Sequence, residues 1–358
     1  MNGTEISRES FFGMAGLTEN VVSSEVQAYT PVSLGKGAKV RNGNASWIAN
    51  LKKVDFTDAS QLRLLAPENV TATEVYVNNE VQNKYRAIVG DNTHKVYSIK
   101  SNKYQPVQNR LLVDSLAQVS DDTGIQVFGK MNDEGGRCSI NAFFADPNCN
   151  IDFGEYHGGK GSDPYMLGVR AYNSHTGQTG FGAEIIGVRW LCSNMVAFGD
   201  ILGKVYWKHL VKSEDVISQV AGMITGYMDK VPILKKKVDE MKSEILTLDE
   251  AECALWGIKI SPFKTESIMA HLPELNPEII GKNGKVSVYD VFNATTAYNT
   301  HSNTGGSEFG HTDFSKRAQN LITDIHRIDE IIADGREART EYEENLKMNA
   351  SNTVLVSD

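Results

Sequence analysis

The chain has 358 residues and no run of 18 consecutive apolar ones, so the sequence offers no membrane-spanning helix. Its opening, residues 1–16, lacks a charged stretch followed by an apolar one, so no secretory signal is expected. Cysteine is scarce. The four, Cys138, Cys149, Cys192 and Cys253, are scattered without a C-x-x-C pair and read as reduced cytosolic thiols, which excludes a secreted disulfide framework. Cys192 beside a basic strand has two readings, a nucleophile or a small residue filling a core. His94, His157, His175, His209 and His301 stand far apart with no H-x-x-x-H or H-x-E spacing, so neither a metal nor a cofactor is expected. There is no G-x-x-x-x-G-K-[ST] and no G-x-S-x-G; the stretch Gly154–Gly161 is only superficially a phosphate loop, because no helix signal follows it. Positive charge is in deficit: 36 Lys and Arg against 45 Asp and Glu give a net charge of −9, which disfavours indiscriminate binding to polyanions. A local basic stripe is still allowed, since charge acts within a Debye length.

What is present supports an ordinary globular core. Hydrophobic residues make up 41% and charged residues 23% of the chain. Many of the 31 glycines fall between Gly124 and Gly203, where hairpins need residues that tolerate positive φ. The fold class expected is α+β, with an antiparallel, strand-rich N-terminal and central part and a helical C-terminal part. Residues 1–45 are polar with short apolar islands, Phe11-Phe12 and Val21-Val22, and read as an arm that orders against a neighbour. Residues 46–212 form the β-rich core. Thr73 to Ser98 alternates like strands closed by Gly90-Asp91-Asn92. A helix spans Val107 to Val119, and further strands are expected at Ile125–Phe128, Cys138–Phe144, Met166–Tyr172 and Glu184–Leu191.

Residues 213–347 are expected to be helical and to pack on the core or on neighbours, with residues 348–358 as a tail. Apolar residues recur at 3–4 spacing from Val216 to Ile245, interrupted by Pro232, which removes a backbone donor and must kink or split the run. Thr247-Leu248-Asp249-Glu250 reads as a capping box for a helix ending near Gly257. Ser287 to Tyr298 is a further helix. The last carries Phe314, Ala318, Leu321, Ile325, Ile328 and Ile332 at coiled-coil spacing, a face suited to helix association and hence to a homo-oligomer.

Three clusters stand out as candidate sites. The loop Asn173–Gly182 sets Asn173, Ser174 and His175 among glycines, a composition that can hold a phosphate or a reacting group, or can simply bond its own backbone in a turn. If it is a site, His175→Ala should remove activity and leave stability nearly intact, as for an exposed loop residue. Arg170 and Arg189 flank this loop, with Asn194 after the second; guanidinium forks suit phosphate, yet each can equally pair with a carboxylate such as Glu184. The run Lys204, Tyr206, Trp207, Lys208 and His209 interleaves rings with positive charge, as a single-strand groove requires; its alternative is an amphipathic strand with a core Trp.

Four segments together resemble the phage/plasmid-like protein family, a domain of unknown function numbered 932. They are Tyr97 to Asn109; Asn173-Ser174-His175-Thr176-Gly177 with Val188 to Asn194 after a strand; His209 before the long helix; and Val288 to Ala294 followed by polar residues through His301. The match in order and spacing covers roughly residues 85–330. Members usually carry Asp where this chain has Thr176, and Arg-Val-Val-Cys where it has Trp190 and Leu191. The resemblance implies a phage, plasmid or integrated element as context and names no reaction. The resulting expectation is a cytoplasmic, oligomeric nucleic-acid-associated protein that binds or anneals single strands. Its rivals are an enzyme or anti-host factor centred on His175, and a structural assembly protein without catalysis.

Overall fold

The computed structural model describes residues 4–5, 53–144, 149–155, 162–189, 195–208, 213–275, 284–299 and 308–354. The N-terminal arm, apart from a two-residue strand at Thr4–Glu5 (β1) that pairs with Lys53–Val54 (β2), lies outside these residues, as do Trp190 to Asn194, His157, His209 and His301. The fold is α+β, antiparallel sheets first and helices after.

The frame is a seven-stranded antiparallel sheet built on one long hairpin, Ser162–Ser174 (β9) and Phe181–Arg189 (β10). Each hairpin strand is flanked on its outer side by two shorter strands set end to end. Arg137–Phe144 (β7) and Asn150–Glu155 (β8) line β9, and Lys204–Trp207 (β12) and Met195–Ala197 (β11) line β10. Val127–Glu134 (β6) closes the edge beyond β7. The hairpin strands read as nearly continuous apolar runs because both faces are covered. Tyr165, Leu167, Val169 and Ala171 enter the main core, while Met166, Ile186 and Val188 are buried on the opposite face. The core face receives the helix Arg110–Thr123 (α2), which buries Leu112, Leu116 and Val119; this helix ends at Gly124, whose φ of 68° is the left-handed cap that glycine permits. The short helix Ala59–Leu64 (α1) packs beside it.

A second sheet, Val70–Val77 (β3), Glu80–Gly90 (β4) and Val96–Ser101 (β5), forms an antiparallel meander that stands largely in solvent. Its inner face carries Val70 and Ile88 into the core, and its outer side leaves Tyr76, Tyr85, Val96 and Ile99 exposed.

In the C-terminal half, Pro232 splits the predicted helix as expected. It sits in the first turn of Val231–Ser243 (α5), where the donor it lacks has no helical partner, and the preceding helix stops at Gly226 (α4, Ser213–Gly226). A 3-10 turn, Met228–Lys230, lies between the two runs, and ahead of both a short helix, Gly199–Leu202 (α3), links β11 to β12. Thr247 caps Leu248–Gly257 (α6) with both bonds of the capping box in place, and Ser287 does the same for Val288–Ala297 (α8). Helix α7 spans Pro262–Leu275. The last apolar stripe falls on two helices, Glu308–Thr323 (α9) and Ile328–Val354 (α10), joined by a short 3-10 turn. Phe314, Ala318, Leu321, Ile325, Ile328 and Ile332 are all buried within the single chain, so this face is already occupied and provides no surface for association. Sheet and helices share one apolar cluster that runs from Phe56 to Ile332. Among the described residues no helix is long and apolar enough to cross a membrane.

Candidate functional site

Asn173 and Ser174 finish strand β9, and His175 opens the turn into β10. All three are 0% exposed. Asn173 Nδ2 donates to Val107 O at 2.7 Å and to Asn109 Oδ1 at 2.8 Å, and Asn109 Nδ2 donates to Glu68 O at 2.6 Å. The His175 backbone is held at both ends: its N–H donates to Gly136 O at 2.7 Å, and its carbonyl accepts from Ser98 Oγ at 2.6 Å. Buried amides bonded on both sides fix one geometry, because each broken bond leaves a desolvated group. The loop was expected to be exposed. The meander covers it: Ser98 lies 77 positions earlier in the chain, beyond the reach of any local pattern. Removing the His175 side chain therefore empties a packed position, and an activity loss with stability intact is not the outcome this geometry supports.

The exposed part of the turn is its tip. Gly177 and Gln178 face solvent and Thr176 and Thr179 are half-buried. Gly177 adopts a φ of +82°, and a side chain there would run into the Lys100 ammonium, so Lys100 of β5 lies directly against the tip. On the other side, β12 pairs with β10 so that Gly182 faces Tyr206 and Phe181 faces Trp207. Tyr206 is 54% exposed, and its hydroxyl oxygen accepts from Gly180 N–H at 3.1 Å. The fold thus joins the loop to the Lys204–Lys208 run, two clusters separated in sequence. It divides that run by strand alternation: Lys204, Tyr206 and Lys208 point outward, while Trp207 is 8% exposed and packs on Phe181 at 5.6 Å between ring centroids. Trp207 is a core residue, unavailable for stacking a base. Lys204 is tied to Asp200 of α3 in an ion pair.

The two arginines are not brought together. Arg170 stands opposite Glu184 and Arg189 opposite Tyr165, five residues apart along β9, or about 17 Å at roughly 3.4 Å per residue. Arg170 is buried on the face away from the main core; its Nε donates to Asn141 Oδ1 at 3.1 Å and its Nη1 lies 3.9 Å from Glu184 Oε1. Burial pushes the Glu184 carboxyl above its ordinary 4.5, against the pull of the Arg170 guanidinium. The pairing with a carboxylate, one of the two readings open for Arg170, is the one this register favours.

Sequence reasoning missed a further polar junction between sheet and helices. Tyr289 of α8 donates its hydroxyl to Asp163 Oδ2 at 2.5 Å, and Tyr165 donates to Asn293 Oδ1 at 3.4 Å. Tyr289 and Asn293 lie in the segment Val288–Ala294 that carries part of the resemblance, but nothing local identifies a strand residue 126 positions earlier as the partner of Tyr289. The segments Tyr97–Asn109, Asn173–Gly177 and Val288–Ala294 thus meet the rest of the molecule through buried cross-links. Among the described residues, no group of three His, Cys, Asp or Glu is arranged to hold a metal.

No curated protein and no solved structure matches this chain. A family model does: it matches residues 96–351, well over half of the sequence and including all three cross-linking segments, and the chain belongs to that family, described as a domain of unknown function (DUF932).

Proposed function

We propose that this is a nucleic-acid-associated protein of a mobile genetic element that holds single strands across the β9–β10 hairpin tip and the neighbouring meander. The observation that carries the reading is the convergence at one exposed edge of Lys100, the Gly177–Gln178 turn, Tyr206 and Lys208. Cations that neutralise phosphates beside a ring on which a base can stack are the components of a single-strand surface. The meander extends it. Between Val70 and Lys103 the chain carries Lys84, Arg86, Lys95, Lys100 and Lys103 against Glu74, Glu80 and Asp91, and Tyr85 is 50% exposed. This local excess of positive charge lies in a chain of net charge −9. The rival reading, an enzyme centred on His175, has its central residue enclosed at 0% exposure.

Binding of labelled single-stranded DNA across a salt series tests the proposal. Lys100→Ala and Lys208→Ala should each reduce the salt slope by roughly one unit or less, because each releases about one counterion. Tyr206→Ala should weaken binding by about 1–3 kcal/mol with little change of slope, since stacking is weakly electrostatic. Melting temperatures serve as the control for folding. No saturable binding at low salt, or binding that survives all three changes in folded protein, overturns the reading.

A further inference from the structure

The geometry points to a second, unrelated site: an apolar cavity between helices α2 and α4 that takes an uncharged molecule of one or two flat rings. Its volume is about 300 Å³. Val119, Val127, Phe144, Ile224 and Tyr227 form its wall with Cys149. All six are buried, so the lining is fixed by the core and not by loose surface chains.

The hydroxyl groups on the lining decide what fits. Ser120 Oγ donates to Ile125 O at 2.6 Å, Thr123 Oγ1 to Val119 O at 2.7 Å, Thr225 Oγ1 to Ala221 O at 3.0 Å, and Tyr227 OH to Cys149 Sγ at 2.8 Å. Each hydroxyl proton is committed inside the protein, leaving no hydroxyl donor for a polar ligand. A cavity lined this way does not hold ordered water well and accepts apolar molecules instead. The rings of Phe144 and Tyr227 lie 6.2 Å apart and only 11° from parallel, which gives the wall a flat aromatic side suited to a planar guest.

The mouth is marked by exposure. Thr123 and Thr225 are exposed, and they stand in the last turns of the two helices. Helix C-termini present unsatisfied carbonyls, and Asp122 stands in the last turn of α2 beside Asp121, whose charge Arg63 offsets, so this rim disfavours an anion. A neutral ring is therefore favoured over a ring carrying a carboxylate.

Toluene and indole, with benzoate as the charged comparison, serve as probes on the full chain by calorimetry and thermal melting. Toluene or indole should bind saturably at about 1 mM or below and raise the melting temperature, while benzoate binds at least about tenfold more weakly. Ile224→Phe fills the cavity and should weaken both neutral probes by about tenfold or more. Should that variant fail to fold, Thr225→Trp at the exposed rim closes the mouth without touching the core, and the same weakening is required of it. Absence of binding by the wild-type chain, equal binding of benzoate, or unchanged affinity in the folded variant overturns the inference.

Discussion

Arg170 and Glu184 face each other across β9 and β10 at 4% and 2% exposure, so neither charge has water to screen it. Two charges in such a place are tolerated only together, because removing one strands the other. Arg170→Met should cost about 3–5 kcal/mol in urea unfolding, whereas Arg170→Met combined with Glu184→Leu should recover most of that loss. A double variant as unstable as the sum of both singles would mean that the two residues serve separate partners. The pair also fixes the sign of a pH effect. Burial raises the folded Glu184 carboxyl above 4.5, opposed by Arg170, Lys316 and Lys204 and helped by Asp200. Between 4.5 and that raised value the folded chain holds a proton that the unfolded chain has released, so stability falls as pH climbs through the window. Glu184→Gln should flatten this part of the stability profile. In the sequence, the pairing of Arg170 with Glu184 was one of two open readings, because strand register decides it and register is set by the whole hairpin.

Elements whose causes are local were legible. The capping box at Thr247 and the break at Pro232 depend on residues within four positions and form as read, and the helix read from Ser287 forms too, its capping box with Asp290 equally local. The crossing of α6 with α10 was not legible, since its cause is a contact between distant helices. Gly257 and Gly335 lie at that crossing, where a side chain on Gly335 would meet the Cys253 carbonyl oxygen and one on Gly257 the Ile331 carbonyl oxygen. Glycine within a helix ordinarily costs about 1 kcal/mol relative to alanine, so Gly→Ala should stabilise wherever there is room. Gly222 of α4 has such room, with nothing within 4 Å of the added carbon. Gly222→Ala should therefore gain about 0.5–1 kcal/mol. Gly335→Ala should instead lose about 1–3 kcal/mol, the added methyl forcing the helices apart. Chemical unfolding of the two variants reads the signs directly, and a stabilised Gly335→Ala would show that the helices do not approach this closely.

The sequence divides at residue 212 into a β-rich and a helical part, and for the whole molecule the question is whether that boundary separates independent units. The contacts across it favour one cooperative body. Tyr227 of the helical half stacks on Phe144 and donates to Cys149, and Tyr289 donates to Asp163. Lys242 of α5 reaches the Phe153 carbonyl oxygen, and α4 packs on α2. A fragment of residues 46–212 would expose the partners of all these groups and leave the Asp163 carboxylate without its tyrosine donor. Apolar surface uncovered on that scale is not stable in water, and a chain that cannot bury it loses its fixed packing. Calorimetry of the full chain should accordingly give one unfolding transition, with calorimetric and van't Hoff enthalpies in agreement. The fragment, expressed alone, should bind a hydrophobic dye and melt without a sharp transition, the behaviour of a compact state lacking fixed packing. If the fragment instead melts cooperatively and binds no dye, the strand-rich part folds by itself, and the helices are an accessory that docks on a finished core.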